Sequence, residues 1–146
     1  EIAGYYTHLR DISEEFGNVL LSEDYDRIFP ASVNAVASFD EMSGELKSMQ
    51  VPGEMQEAHD AFLKSISAYR ESADLIRVVI GTALGKYEET GADLQGMIDK
   101  SVYEAAVANE YLARSLTLHG EIFQLYAEGE STTGQCGKYV AGNFAQ

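Results

Sequence analysis

The longest apolar stripe in the sequence runs through residues 52–87, PGEMQEAHDAFLKSISAYRESADLIRVVIGTALGKY. Its members recur at alternating steps of four and three, the spacing of one face of an amphipathic helix. They are Met55, His59, Phe62, Ile66, Tyr69, Ala73, Ile76, Ile80, Ala83 and Tyr87. Pro52 suits the first turn of this helix because it has no N–H to lose there. Gly81 and Gly85 either weaken the far end or let a neighbouring group approach closely.

Three further stripes have the same spacing. The one that follows residue 91 consists of Ile98, Val102, Ala105, Asn109, Leu112, Leu116, His119, Phe123 and Tyr126. Two others run from Ile2 to Val19 and from Ile28 to Met49, and Pro30 is expected to lie near the start of the second helix or to kink it.

These stripes predict helices over 1–22, 27–50, 53–87 and 92–128. Because the connections are short, we predict an all-α, antiparallel, up-down-up-down four-helix bundle over residues 1–128. Residues 129–146 are rich in glycine and carry no helical stripe, so they are predicted to form an irregular C-terminal extension.

Length and charge limit the classes of function. The chain has 146 residues, enough for one domain, and 10 Lys+Arg against 24 Asp+Glu give it a net charge of −14. That charge argues against nucleic acid and anionic membrane surfaces as partners, since both attract clustered cations. The longest uncharged stretch, from Ile28 to Phe39, is far shorter than the roughly 20 residues of a membrane span.

The sequence lacks the motifs of the helical-bundle enzymes. No Glu-x-x-His occurs and no stripe carries Asp or Glu, which excludes a di-iron carboxylate site. Cys136, the single cysteine, can form neither an internal disulfide nor a c-type haem attachment. We therefore predict no catalytic residues, no enzymatic activity and no bound cofactor.

The three histidines form the one candidate site. If the turn between the third and fourth helices is centred near Thr90, His59 and His119 lie within roughly 3 Å of one level along the bundle. His8, Met42 and Met49 are expected at the same end. Imidazoles with thioethers suit copper or a non-covalent haem, so His59, His119 and His8 are a candidate metal cluster. The alternative is that they are core histidines bonded to nearby polar groups, with the methionines as fillers.

The segment from Val51 to Leu63, VPGEMQEAHDAFL, resembles the proline-led helix starts of uncharacterised exported helical-bundle proteins of bacteria and archaea. The resemblance covers this one helix start. It implies a helical bundle in an extracytoplasmic or cell-surface location, and it implies no activity. The opening residues Glu1-Ile2-Ala3 are compatible with a processed, exported chain and equally with an excised one.

The sequence therefore favours a non-catalytic, extracytoplasmic binding or interaction bundle with an unknown protein or small-molecule partner. Two alternatives stay open: a metal- or haem-binding bundle that uses His59 and His119, and a small-ligand sensor with a pocket of tyrosines from the stripes. Dimerisation through the helices also stays open, because an apolar surplus lies on or beside the stripes. Its members are Leu20, Leu21, Phe29, Phe39 and Leu63.

Overall fold

The computed structural model describes residues 2–87 and 93–122, with side chains up to residue 120. They form helices α1 (Ile2–Leu21), α2 (Tyr25–Ser48), α3 (Gln56–Ala83) and α4 (Leu94–Ile122), and the 3₁₀ turn Gly53–Met55 precedes α3. The predicted all-α four-helix bundle is confirmed. The predicted end of the fourth helix at residue 128, the extension 129–146 and Cys136 lie outside the described residues.

The turn between α1 and α2 explains where α2 begins. Glu23 has a φ of 55°, a conformation that reverses the chain at the end of α1. Asp24 is the N-cap, and its carboxylate accepts a hydrogen bond of 3.1 Å from the backbone N–H of Asp26. Because α2 starts at Tyr25, Pro30 lies inside the helix, in its second turn.

Helix α3 ends four residues earlier than predicted because of its C-terminal cap. Gly85 has a φ of 74°, and the N–H groups of Gly85 and Lys86 donate to the carbonyls of Thr82 and Gly81 at 3.0 and 2.8 Å. This is a Schellman motif, in which glycine takes the left-handed position. The chain then turns back, so that the Tyr87 ring packs where a side chain at Gly81 would lie. Ala83 and Tyr87 therefore do not belong to the buried stripe.

The core contains most of the predicted residues of α2 and α3 and, from α1, Leu9 and Phe16. Its largest fully buried members are Leu9, Phe39, Met42, Leu46, Phe62, Ile66, Tyr69 and Leu112. The most extensive packing joins α3 to α4, followed by α2 to α3. Within the described residues, no helix combines the length and the apolar character needed to cross a membrane.

The α3–α4 interface is built from small residues. Hydrogen bonds of 2.8 Å run from serine hydroxyls to backbone carbonyls of the facing helix at intervals of seven residues. They join Ser72 to Ser101, Ser65 to Ala108, and Ser115 to Ala58. A serine side chain is short, so such bonds require the two backbones to lie close together. This spacing sets the register of the antiparallel pair.

That interface corrects the predicted stripe of α4. The buried face of α4 consists of Ser101, Ala105, Ala108, Leu112, Ser115 and His119. Ile98 is exposed, and the predicted stripe members Val102, Asn109 and Leu116 are only half-buried. The prediction followed the larger side chains, whereas close approach to α3 selects the smaller ones. The buried face is therefore rotated relative to the predicted one.

Candidate functional site

The structure brings two of the three predicted site histidines together. His59 near the start of α3 and His119 near the end of α4 are buried, with 5% and 6% of their surfaces exposed. Tyr6 of α1 and Ser115 of α4 complete a buried group that we call the histidine cluster: Tyr6, His59, Ser115 and His119. All four helices meet at this end of the bundle, because Leu46, near the end of α2, contacts His59 through its carbonyl.

Hydrogen bonds connect α1, α3 and α4 through this cluster. The Tyr6 hydroxyl lies 2.7 Å from Nδ1 of His119 and 2.6 Å from Oγ of Ser115. Ser115 in turn donates to the carbonyl of Ala58 at 2.8 Å. One arrangement uses every donor: His119 Nδ1–H donates to Tyr6, Tyr6 to Ser115 and Ser115 to Ala58. Tyr6 also stacks on Phe62, with 4.3 Å between ring centroids.

His59 connects α3 to α2. Its Nε2 lies 2.8 Å from the carbonyl oxygen of Leu46, so this nitrogen carries a hydrogen and donates it. In the neutral ring, Nδ1 of His59 is then the nitrogen with the lone pair. His119, in the arrangement above, keeps its lone pair on Nε2. Each imidazole thus has one nitrogen committed to the fold and one that is a potential ligand.

Burial favours the uncharged forms of Tyr6 and His119. Burial lowers the pKa of the His119 imidazole, and the neighbouring His59 lowers it further, whereas the hydrogen bond to the backbone of Ser115 opposes the shift. Burial raises the pKa of the Tyr6 phenol, and the hydrogen bond between the Tyr6 and Ser115 side chains opposes that shift in part. Tyr6 and His119 are therefore bonded as neutral groups rather than as an ion pair.

The third predicted histidine does not join this cluster. His8 is exposed on α1, and the described residues contain no group of three or more His, Cys, Asp or Glu side chains placed to hold a metal ion. Met42 is buried and Met49 half-buried in the core. A structural zinc site uses four protein ligands and a catalytic one three, more than this pair of imidazoles supplies.

The register of α3 and α4 explains why His59 and His119 do not lie at one level along the bundle, as the sequence predicted. The hydrogen bond between Ser115 and Ala58 places these residues opposite each other. His119 therefore lies about five residues, roughly 7.5 Å, beyond the level of His59, rather than beside it. The sequence analysis missed Tyr6 and Ser115. One feature of the sequence could have identified Ser115: it lies four residues before His119 and therefore on the same face of the helix.

The tyrosines of the predicted stripes bond to separate partners, not to one pocket. Tyr5 donates to Glu45 at 3.0 Å, and Tyr69 donates to Asn109 at 3.3 Å. The hydroxyl of Tyr87 accepts a hydrogen bond of 2.6 Å from Arg77. Tyr126 lies outside the described residues. The hydroxyls of Tyr5 and Tyr69 therefore hold helices to each other, and that of Tyr87 holds α3 to the chain that follows it.

The outer surface of the bundle carries three shallow grooves of different charge. The α2–α3 groove has a volume of about 310 Å³ and contains Lys47, Lys64 and Arg70 against Asp40, a net charge of +2. Phe39, Leu63 and Ile66 supply its apolar lining, and Ser43 and Ser67 its hydroxyls. Two grooves along α4, of about 510 and 500 Å³, each contain two basic and two acidic residues.

The charged groups of the α2–α3 groove differ in their pairing. Arg70 donates to Asp40 at 3.0 Å and lies 3.9 Å from Asp74. Lys47 and Lys64 form no ion pair with any carboxylate of the described residues, and Lys64 lies over the Tyr111 ring at 5.5 Å. Lys47 is therefore a cation of this groove without a carboxylate partner, whereas Lys64 lines all three grooves and its ammonium group faces Tyr111 of α4.

Comparison with known proteins identified no relative: no family model matches the chain, and neither a curated protein nor a solved structure matches it.

Proposed function

We propose that this chain is a non-catalytic binding domain, in which the four-helix bundle is a scaffold and the α2–α3 groove is the binding surface. One observation carries the proposal. Lys47 and Lys64 border this groove without carboxylate partners among the described residues, although acidic side chains outnumber basic ones by more than two to one. A concave surface with a few charged groups at fixed positions is the usual form of a small-molecule site.

The construction of the groove supports this proposal. Both walls are regular helices, and the Asp40–Arg70 ion pair and the bond from His59 to the Leu46 carbonyl join α2 to α3 on either side of it. The lining residues Phe39 and Ile66 are fixed in the core, with 2% and 0% of their surfaces exposed. A site on rigid elements loses little conformational entropy when a ligand binds.

A thermal-shift screen of the full chain tests the proposal. It should cover organic acids, amines, neutral molecules, divalent metal ions and haem, because a ligand of the folded state raises the melting temperature. We expect at least one class to bind saturably, with amide chemical-shift changes in residues 39–47 and 63–70. Absence of saturable binding, or shifts confined to other elements, would contradict the proposal. Metal or haem binding lost in His59→Ala and His119→Ala would instead establish the metal-binding alternative.

The location of the protein stays a prediction. The sequence favours an extracytoplasmic or cell-surface protein, and a binding domain is compatible with that setting. Fractionation of the source cells, with detection by an antibody raised against the bundle, measures it directly. Recovery of the protein in the cytoplasmic fraction alone would show that the prediction is wrong.

A further inference from the structure

We propose that the surface of α2, α3 and α4 that α1 covers also binds α1 of a second copy of this chain, so that two copies exchange their first helices. In this exchanged dimer the turn at residues 22–24 opens, and α1 and α2 form one continuous helix. Each bundle then consists of three helices of one copy and the first helix of the other. Three features support the exchange: the packing of α1, the strain in its turn, and two exposed side chains beside that turn.

Helix α1 is held to α3 and α4 by side chains across a wide backbone separation. Among the described residues, no Cα atom of α1 lies within 8 Å of one in α3 or α4, whereas α1 and α2 do approach this closely. Large side chains bridge the gap: the Tyr6 ring stacks on Phe62 at 4.3 Å between centroids, and the Tyr6 hydroxyl bonds to Ser115. These contacts depend on the side chains of α1 and not on its connection to α2. The same helix from a second copy would therefore make the same contacts.

The turn between α1 and α2 is short and strained. It consists of Ser22, Glu23 and Asp24, and Glu23 has a φ of 55°. This left-handed conformation is unfavourable for a residue with a side chain, and among the described residues other than glycine only Glu23 adopts it. If the turn opens into a helix, Glu23 takes an ordinary helical φ and the strain is released. Short strained turns favour the exchange of an adjoining element for this reason.

Two large apolar side chains beside the turn are exposed in the single chain. Leu21 and Tyr25 have 51% and 49% of their surfaces exposed. They precede the buried Ile28 by seven and three residues, so a helix continued through the turn would carry all three side chains near one face. In the exchanged dimer the turns of the two copies meet between the bundles, where Leu21 and Tyr25 are expected to pack against their counterparts. This burial occurs only in the dimer and therefore favours it.

The exchange should depend on protein concentration and on partial unfolding. Each bundle of the exchanged dimer keeps the contacts of the monomer, whereas joining two chains costs translational and rotational freedom. We therefore expect the monomer at micromolar concentrations and the exchanged dimer after refolding at millimolar concentration. Once formed, the exchanged dimer should persist on dilution, since α1 has to leave its bundle before the chains can separate.

Refolding of the full chain from urea at millimolar concentration, followed by dilution and light scattering, tests for the dimer. Nuclear magnetic resonance identifies the exchanged helix. When isotope-labelled and unlabelled chains are refolded together, the nuclear Overhauser effect between the Tyr6 and Phe62 rings should connect one chain to the other. Recovery of monomer alone would overturn the proposal, and so would a dimer in which this contact stays within each chain.

Variants of Glu23 test the role of the turn. Glu23→Gly relieves the left-handed strain and weakens the continuous helix, so it should lower the dimer fraction at least about fivefold. Glu23→Ile removes the same charge, but a β-branched side chain disfavours the left-handed conformation more strongly, so the dimer fraction should rise. Glu54→Gly, in the exposed turn before α3, is the control and should leave the dimer fraction unchanged. Equal dimer fractions for the two Glu23 variants would overturn the proposal, because the turn would then have no influence on the exchange.

Discussion

Tyr6 of α1 forms hydrogen bonds to α4. Its hydroxyl bonds to both Ser115 and His119, and its ring stacks on Phe62. Tyr6→Phe keeps the ring but leaves buried polar atoms on α4 without their partner. We expect the free energy of unfolding to fall by about 1–3 kcal/mol.

Urea denaturation followed by circular dichroism measures this loss. Tyr103→Phe is the matched control, because Tyr103 is 65% exposed and should change stability by less than about 0.5 kcal/mol. If Tyr6→Phe were as stable as the control, the hydroxyl network would contribute nothing to the fold.

His119 makes stability depend on pH in a defined direction. Its pKa is lowered from the ordinary 6.5 by burial and by His59, so below that pH the unfolded chain takes up a proton that the folded chain resists. The stability that neutral His119 contributes to the folded state is fully present above about pH 6.5, and it is lost as the pH falls through the pKa of His119 in the folded chain.

We expect the midpoint of urea denaturation to decrease from pH 7.5 to 5.5. The decrease of the midpoint with pH should be smaller in His119→Gln. The exposed His8→Gln serves as the control; a slope unchanged by His119→Gln would assign the pH dependence to other groups.

At the scale of elements, the small residues of α3 and α4 set how closely these helices approach. Ala108 is fully buried, and its carbonyl accepts the hydrogen bond from Ser65. Ala108→Leu inserts three carbon atoms where the backbones are close, so we expect a loss of about 2 kcal/mol, within the range for overpacked cores. Ala106→Leu on the exposed face is the control and should be nearly neutral. Equal stability of the two variants in urea would contradict the close packing of this interface.

Glycine-to-alanine substitutions provide a second test at the scale of elements, one in the cap of α3 and one inside α2. Gly85 has a φ of 74° in the cap of α3, so Gly85→Ala should destabilise by about 1 kcal/mol. Gly44 lies in the exposed interior of α2 with open space around it, so Gly44→Ala should stabilise by about 0.5–1 kcal/mol. Melting temperatures that move in the same direction for both variants would show that the cap of α3 is not as described.

At the scale of the whole molecule, the packing accounts for most of the apolar surplus that left dimerisation open. Phe39 is buried, and Leu20, Phe29 and Leu63 are half-buried, whereas Leu21 is 51% exposed. We therefore expect a monomer at tens of micromolar by light scattering. A dimer mass that persists on dilution, and that Leu21→Ser reverts to the monomer, would identify the tip of α1 as an interface.

Much of the fold follows from the spacing of apolar residues in the sequence. Phe62, Ile66 and Tyr69 recur at a helical period with large side chains, and each is fully buried as predicted. Such a stripe determines a helix and its inner face, because burying those side chains is the dominant stabilising effect. Helix α2 was predicted over 27–50 but begins at Tyr25, two residues earlier, because Asp24 caps it from the adjacent position. His59 and His119 were identified by the same argument.

What only the tertiary structure decided is how the helices meet. Ser65, Ser72 and Ser115 are polar by composition, yet each is buried because its hydroxyl finds a carbonyl on the facing helix. That pairing depends on the distance between the backbones of α3 and α4, which the sequence of one helix alone does not determine. On α1, the face that packs against the other helices brings Tyr6, and not the exposed His8, to His119. The sequence by itself determined four helices and the inner faces of α2 and α3, because hydrophobic burial is periodic and local. The inner face of α4 and the neighbours of each buried polar group depend on contacts between residues far apart in the chain.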